Sequence, residues 1–316
     1  RMTSEASQKS TLRAKNLINE SLVRAVLSYD MGQGIQLSSW SVEDFIKKGD
    51  SYASVVTSIR VGYQRGGGAI REVSYIAKLS PGSTLEFFTN NINNMFRKEG
   101  MFYLNIVPQL NNILRSVGQT ALRAPRCLYA DYTLGNEVLI LEDLRSQGFR
   151  TFDRRKPMDI YHTNLVMKEL GRLHASSLLL NMSSERHILE LYPLLSDLWM
   201  DNSNPERVSW KSMMSGGLHN AIQLVKNVEG YEVVADWLET LQPHMLDIMV
   251  NQLELTDDQT AVLCHGDAWA GNMMFRYDHQ GLPVDVKLVD WQCCRWAPLA
   301  SELNYFMCTS LTGTLR

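Results

Sequence analysis

The sequence predicts an α+β protein of two lobes, and three observations carry that expectation. Strand-forming residues are concentrated between positions 55 and 141. Helical periodicity dominates from 158 onward. A small group of short apolar strands, 261–289, interrupts the helices. Strands gathered first and helices after are the mark of an α+β arrangement, in which the two kinds of element are segregated. The 316 residues suit one large domain or two lobes that share a cleft. The division is placed after residue 143. It gives an N-terminal lobe, 1–143, with a helix, an antiparallel sheet and a loop at 48–54, and a helical C-terminal lobe, 144–316.

Taken in order, residues 12–29 carry Leu17, Ile18, Leu22 and Val26 at helical spacing. Val55, Val56, Ile59, Val61 and Tyr63 form a β-rich run. Gly66, Gly67 and Gly68 supply a turn, and residues 73–78 a second strand, so an antiparallel hairpin is expected. Residues 89–116 return to helical spacing through Ile92, Phe96, Phe102, Leu104 and Leu110. Pro108, which lacks an N–H, should kink or interrupt that helix. Two further strands are expected at 127–131 and 137–141. Helices follow at 158–180, 185–200, 209–228 and 231–253, then short strands at 261–264, 273–277 and 284–289, and a last helix at 299–311.

Composition excludes several classes. With 45% hydrophobic and 21% charged residues the chain is neither disordered nor fibrous. A net charge of −3 offers no basic field for nucleic acid. No apolar run reaches the roughly 18 residues that a membrane span needs, and no apolar h-region follows the polar N-terminus, so neither a span nor a signal peptide is expected. The chain opens on Arg1 rather than Met, which leaves room for an upstream segment. The 5 cysteines are odd in number, and Cys293 and Cys294 are adjacent rather than spaced as metal ligands. Reduced thiols in a cytoplasmic protein are the plain expectation. No G-x-S-x-G elbow and no H-E-x-x-H zinc motif occurs.

The most informative segment runs from Val262 to Phe275. It contains His265-Gly266-Asp267, with Asn272 five positions after the aspartate, and is followed by Leu288-Val289-Asp290-Trp291-Gln292. Phosphoryl transfer asks of a protein mainly positioning, a divalent metal and charge neutralisation. Mg²⁺ takes hard oxygen ligands, which the Asn272 amide and the Asp290 carboxylate offer. Asp267 can accept the hydrogen bond of an incoming hydroxyl. Pairing of the strands at 273–277 and 284–289 returns Asp290 to the side of Asn272. Lys78 closes an apolar strand, where its compact charge can meet phosphate oxygens, and Glu99 in the following helix can orient it. Gly49 and Ser51, in the loop 48–54 before the first hairpin strand, can offer backbone N–H groups to phosphate. The strand at 138–141 leaves through Glu142, Asp143 and Leu144, a connector whose backbone at Glu142 and Leu144 can pair with an adenine. His174 reads as a packed helix residue and His265 as a brace for the loop.

Together the residues 265–275, 288–292, 141–144 and 171–177 resemble the ecdysteroid kinase-like (CHK kinase-like) family, within the choline kinase and aminoglycoside phosphotransferase group. The likeness runs from about Trp40 to Phe306. It implies a bilobal protein kinase-like fold, with ATP as donor and Mg²⁺ as cofactor. By position it implies Asp267 as catalytic aspartate, Asn272 and Asp290 as metal ligands, Lys78 as phosphate contact and Glu99 as its partner. Three features depart from the family. Ala268 and Gly271 stand where it carries bulkier or polar residues, Glu302 stands where it has Asp, and helices that follow in the family are expected beyond Arg316.

The expected function is transfer of a phosphoryl group to a hydroxyl of a small molecule. Tyr192, Trp199, Met200, Trp210, Met213, Met214, Trp237, Met245 and Met249 are the candidate wall for an apolar alcohol of steroid type, since Met and Trp line adaptable pockets. The alternative is a catalytically inactive relative that binds nucleotide or a small ligand. A protein kinase is disfavoured by the lack of His-Arg-Asp and Asp-Phe-Gly.

Overall fold

In the computed structural model, residues 16–44, 54–81, 86–196, 207–256 and 258–316 are described. The chain forms helix α1 (Glu20–Met31) and strands β1 (Ile35–Asp44), β2 (Val55–Arg65) and β3 (Arg71–Leu79). Helices α2 (Glu86–Met101) and α3 (Val107–Ser116) and strands β4 (Cys127–Asp131), β5 (Val138–Glu142) and β6 (Arg150–Thr151) follow. The second half contributes α4 (Ile160–Ser183), the short α5 (Ile188–Leu191), α6 (Arg207–Val225), α7 (Glu232–Leu241) and α8 (Met245–Leu253). It closes with β7 (Ala261–Cys264), β8 (Met273–Tyr277), β9 (Pro283–Leu288), β10 (Arg295–Pro298) and α9 (Leu299–Ser310). The architecture is the expected α+β one, strands first and helices after.

The N-terminal sheet has five antiparallel strands in the order β1-β2-β3-β5-β4. Strand alternation assigns its two faces. Tyr75, Ala77 and Leu79 of β3 and Val138 and Ile140 of β5 pack with Leu22, Val23, Val26 and Leu27 of α1. Burying those four helix side chains is worth ~1.5–3 kcal/mol each. Ile76 of β3 and Leu139 and Leu141 of β5 point the other way, into a second core with Phe96, Leu173, Phe275, Trp291 and Phe306. Lys78 lies between Ala77 and Leu79, so the period of two puts it on this second face. The sheet thereby delivers a lysine toward the helical half.

Two smaller sheets, β10-β7 and β6-β8-β9, hold the loops that follow β7, β8 and β9. Strand β7 is anchored to α4, where Ser177 Oγ accepts the Leu263 N–H at 2.9 Å. Pairing of Arg295 with Cys264 places the start of β10 beside the end of β7.

Several elements differ from expectation. The helix expected at 185–200 is instead α5 and a single turn, Pro193–Leu195, with 197–206 outside the described residues. Pro193 removes a backbone donor where the helix would continue. Pro243 divides the helix expected at 231–253 into α7 and α8 in the same way. Between α2 and α3 the chain widens into a π-turn, Phe102–Ile106, in which the Val107 N–H reaches back five residues to the Phe102 carbonyl, just before Pro108. Strands β1, β6 and β10 were not expected.

Candidate active site

The loop after β7 carries Asp267, and four elements shape it. Gly266 has φ +80°, and a Cβ there would lie 2.0 Å from the Cys293 carbonyl oxygen, so only glycine fits. The buried Glu302 carboxylate on α9 holds the loop backbone, accepting the His265 N–H at 2.8 Å and the Gly266 N–H at 2.9 Å. It also meets His174 Nε2 of α4 at 3.0 Å. Burial alone would raise the Glu302 carboxyl, but the His174 bond and the backbone donors of the loop hold it below the ordinary glutamate value. Cys264 Sγ lies within 4.8 Å of His174 and Glu302 ligand atoms. With Glu302 engaged by those donors and the thiol directed at the Ala297 and Pro298 carbonyls, the trio is a hydrogen-bonded brace.

His265 links two loops. Its Nε2 lies 3.0 Å from the Val289 carbonyl and its Nδ1 3.3 Å from the Asp267 N–H, an arrangement met by a neutral ring with its proton on Nε2. The ring also rests against Trp291, with centroids 4.3 Å apart.

Asp267 uses both carboxylate oxygens. Asn272 Nδ2 donates to Oδ2 at 2.8 Å and to the Asp267 carbonyl at 3.0 Å, while Tyr305 O–H donates to Oδ1 at 2.6 Å. Burial pushes the Asp267 carboxyl above the ordinary aspartate value, and the Tyr305 bond pulls part of the way back. The Val289 N–H donates to the Asn272 carbonyl at 3.0 Å, which sets Asp290 next to the Asn272 turn. Asp290 itself has φ +69°, alone among the described non-glycine residues. Such backbone costs ~1 kcal/mol or more and is held only where the surroundings demand it.

Lys78 meets this loop from the sheet. Its Nζ donates to Glu99 Oε2 at 2.5 Å, to Asp290 Oδ1 at 2.6 Å and to Gln292 Oε1 at 3.3 Å. Burial alone would lower the Lys78 pKa, but the Asp290 and Glu99 carboxylates outweigh it and hold it above the usual lysine value. Glu99 is fixed from α2. Three positions on, Phe102 stacks on Trp291 with centroids 3.8 Å apart and planes 10° from parallel. One helix end therefore steers both the lysine and the Asp290 loop.

The donor set suits Mg²⁺. Asn272 has spent its amide nitrogen on Asp267, which leaves its carbonyl oxygen; Asp290 has one oxygen on Lys78 and a second to offer. Both are hard ligands, and the Lys78 ammonium shows that the Asp290 carboxylate accommodates a cation.

Other expected residues fall differently. Gly49 and Ser51 lie outside the described residues. Glu142 ends β5 with its carboxylate on Gln147, Arg126 and Lys287. Burial would raise it, but the Lys287 charge and those hydrogen bonds lower it. Leu144 is buried at the start of a one-turn helix, Leu144–Gln147, capped by Asp143. Asp143 also accepts from Ser74 of β3 at 2.6 Å, and Arg145 reaches Ser58 of β2 at 2.9 Å, so the connector is pinned to the sheet. Ala268 is buried, and at Gly271 a Cβ would lie 2.4 Å from the Trp269 ring. The small residues that depart from the family are thus required by local packing. Of the residues suggested for the acceptor wall, Met213 and Trp237 are exposed. Trp199 and Met200 lie outside the described residues, as does the Trp210 side chain. Tyr305, on α9, reaches Asp267 from outside the loop. The residues missed in the sequence are Tyr305, Gln292 and the bracing role of Glu302. Glu302 and Tyr305 are spaced three apart on one helix face, a signal that acquires meaning only beside the loop they hold.

The model of the ecdysteroid kinase-like family matches residues 48–316. No curated protein matches the sequence. Among solved structures, an ethanolamine kinase of Plasmodium vivax is similar with a TM-score of 0.44 and 12% identity, over 98% of this chain and 77% of its own. A protein described as a fructosamine-3-kinase of Haemophilus somnus 129PT gives 0.39 and 10%, over 90% and 75%. Likenesses that distant say nothing of this chain's chemistry. The family match spans every residue of the site from Lys78 to Tyr305, and the chain belongs to the ecdysteroid kinase-like family, with the protein kinase-like fold expected of it.

Proposed function

We propose that the protein is an ATP-dependent small-molecule kinase that phosphorylates a hydroxyl of an apolar alcohol of ecdysteroid-like steroid type. The observation that supports the reading best is the meeting of Lys78, from the sheet, with Asp290, whose loop is bonded to Asn272 and through it to Asp267. In this mechanism Asn272 and Asp290 would hold the metal, which when bound would supply neutralisation of charge on the phosphate oxygens, and Lys78, oriented by Glu99, binds α- and β-phosphate oxygens. Asp267 accepts the hydrogen bond of the acceptor hydroxyl, points its oxygen at the γ-phosphorus and takes its proton as transfer proceeds. Glu302 and His265 keep Asp267 in place while that proton moves.

Two measurements test the reading. Mg-ATP should raise the melting temperature of the wild type and fail to do so for Asp290→Ala. Incubation with Mg-ATP and a panel of steroids, sterols and amino alcohols should yield a product heavier by about 80 Da, the mass of one added phosphoryl group. Absence of any Mg-dependent stabilisation by ATP would remove the proposal. Stabilisation without turnover of any alcohol would favour the inactive, ligand-binding alternative.

A further inference from the structure

We propose that the Tyr305 phenol occupies the acceptor-hydroxyl position of the free protein and bars water from serving as acceptor, so that Tyr305 determines which alcohols are used. The inference rests on the kinase reading above.

The geometry is asymmetric about Asp267. Oδ2 accepts from Asn272, a buried residue that also bonds the Asp267 carbonyl and so belongs to the loop itself. Oδ1 accepts from Tyr305, which is 41% exposed and comes from a different element, α9. An acceptor alcohol readies itself for attack by donating its O–H to a carboxylate oxygen. The phenol already makes that bond, in the same sense, on the oxygen the loop has left open. Of the two donors, Tyr305 is the one that can leave without dismantling the loop, by a χ1 rotation toward solvent.

Displacement discriminates between acceptors. A phenol is intrinsically a stronger donor than water, and burial and the Asp267 carboxylate, which raise the Tyr305 pKa above the ordinary tyrosine value, keep it in its neutral, donating form. Water exchanging with Tyr305 trades a strong bond to a charged oxygen for a weaker one. An alcohol with a substantial apolar body can recover the difference through contacts along its own length. The phenol therefore selects for large acceptors. In transfer, the acceptor oxygen bonds to the γ-phosphorus, the bond to the β,γ-bridging oxygen breaks, ADP leaves with the electron pair, and the acceptor proton passes to Asp267. In hydrolysis water takes the acceptor's place and phosphate is the product.

The experiment needs no identified acceptor. Mg-ATP binding by calorimetry and ADP release without added alcohol are measured on the wild type, Tyr305→Phe and the double variant Tyr305→Phe/Asp267→Asn. Tyr305→Phe loses one oxygen at a partly exposed position and should melt as a folded protein. Its acceptor-independent hydrolysis should rise about tenfold, the lower end of what one hydrogen bond to a charged group is worth, with unchanged Mg-ATP affinity. The double variant should fall back to the wild-type rate or below, which ties the gain to Asp267. A purely structural role for the phenol would slow the enzyme instead. Hydrolysis by Tyr305→Phe equal to or slower than wild type, at normal Mg-ATP affinity, overturns the gate and leaves the kinase reading intact. Failure of the wild type to bind Mg-ATP overturns both.

Discussion

Replacing Glu302 with glutamine tests how the loop is held. The change keeps size and shape but exchanges one accepting oxygen for an NH₂ group. The Glu302 carboxylate has donors on both oxygens: Gly266 N–H on Oε1, and His265 N–H with His174 Nε2 on Oε2. Whichever way a glutamine amide is turned, its nitrogen faces a donor. At least one buried N–H then loses its acceptor, at ~1–3 kcal/mol, and a bond to a charged acceptor becomes a bond to a neutral one. The expected loss is ~2–4 kcal/mol in all, or roughly 3–6 °C in melting temperature for a protein of this size. Its pH dependence follows from the sign of the shift. The folded pKa of Glu302 lies below the ordinary glutamate value of 4.5, so the carboxylate stabilises the fold above pH 4.5 and loses that contribution as pH falls through its lower folded value. Thermal melts of both proteins from pH 7 downward should show a gap that is full at neutral pH and closes in acid. A gap below 1 °C, or one of constant size across that range, would refute the claim that a charged Glu302 braces the loop.

Other perturbations act on the remaining parts. Asp267→Ala should lower kcat by ~10²-fold or more while melting as a folded protein, as read from ADP release and calorimetry. Lys78→Met should weaken Mg-ATP binding and slow turnover together. It also leaves Glu99 buried without its partner and should cost up to ~3–5 kcal/mol of stability, visible in denaturant titration. Gly266→Ala introduces a Cβ 2.0 Å from a carbonyl oxygen at positive φ, so a fall in melting temperature larger than that of Glu302→Gln is expected in the same assay.

The parts of the site that could be read in the sequence are those fixed by spacing within short segments. Asp267 and Asn272 lie in one loop, and the hairpin β8–β9 returns Asp290 to them. Lys78 was legible because it closes an apolar strand, a place where a compact cation can meet phosphate oxygens. The parts that escaped depend on contacts between distant segments. Glu302 and Tyr305 look like any acid and aromatic on a helix until β10 and α9 bring them back to the loop 36 to 38 residues earlier. Strand β1 was missed because its alternation is broken by the register shift between Leu37 and Ser39, which moves the apolar positions from Ile35 and Leu37 to Trp40 and Val42. Strand β10 was missed because four residues opening with Arg295 carry too little periodicity to register. The helix expected at 185–200 failed at Pro193, a local breaker that outranks the surrounding apolar spacing.

The stack of Phe102 on Trp291 has a mechanical consequence. It rivets the end of α2 to the segment that begins with Asp290, so a roll of that helix cannot withdraw Glu99 from the lysine and leave Asp290 behind. Cation and carboxylate are assembled or scattered as one piece, and a ligand that reaches only the far side of α2 has leverage over both.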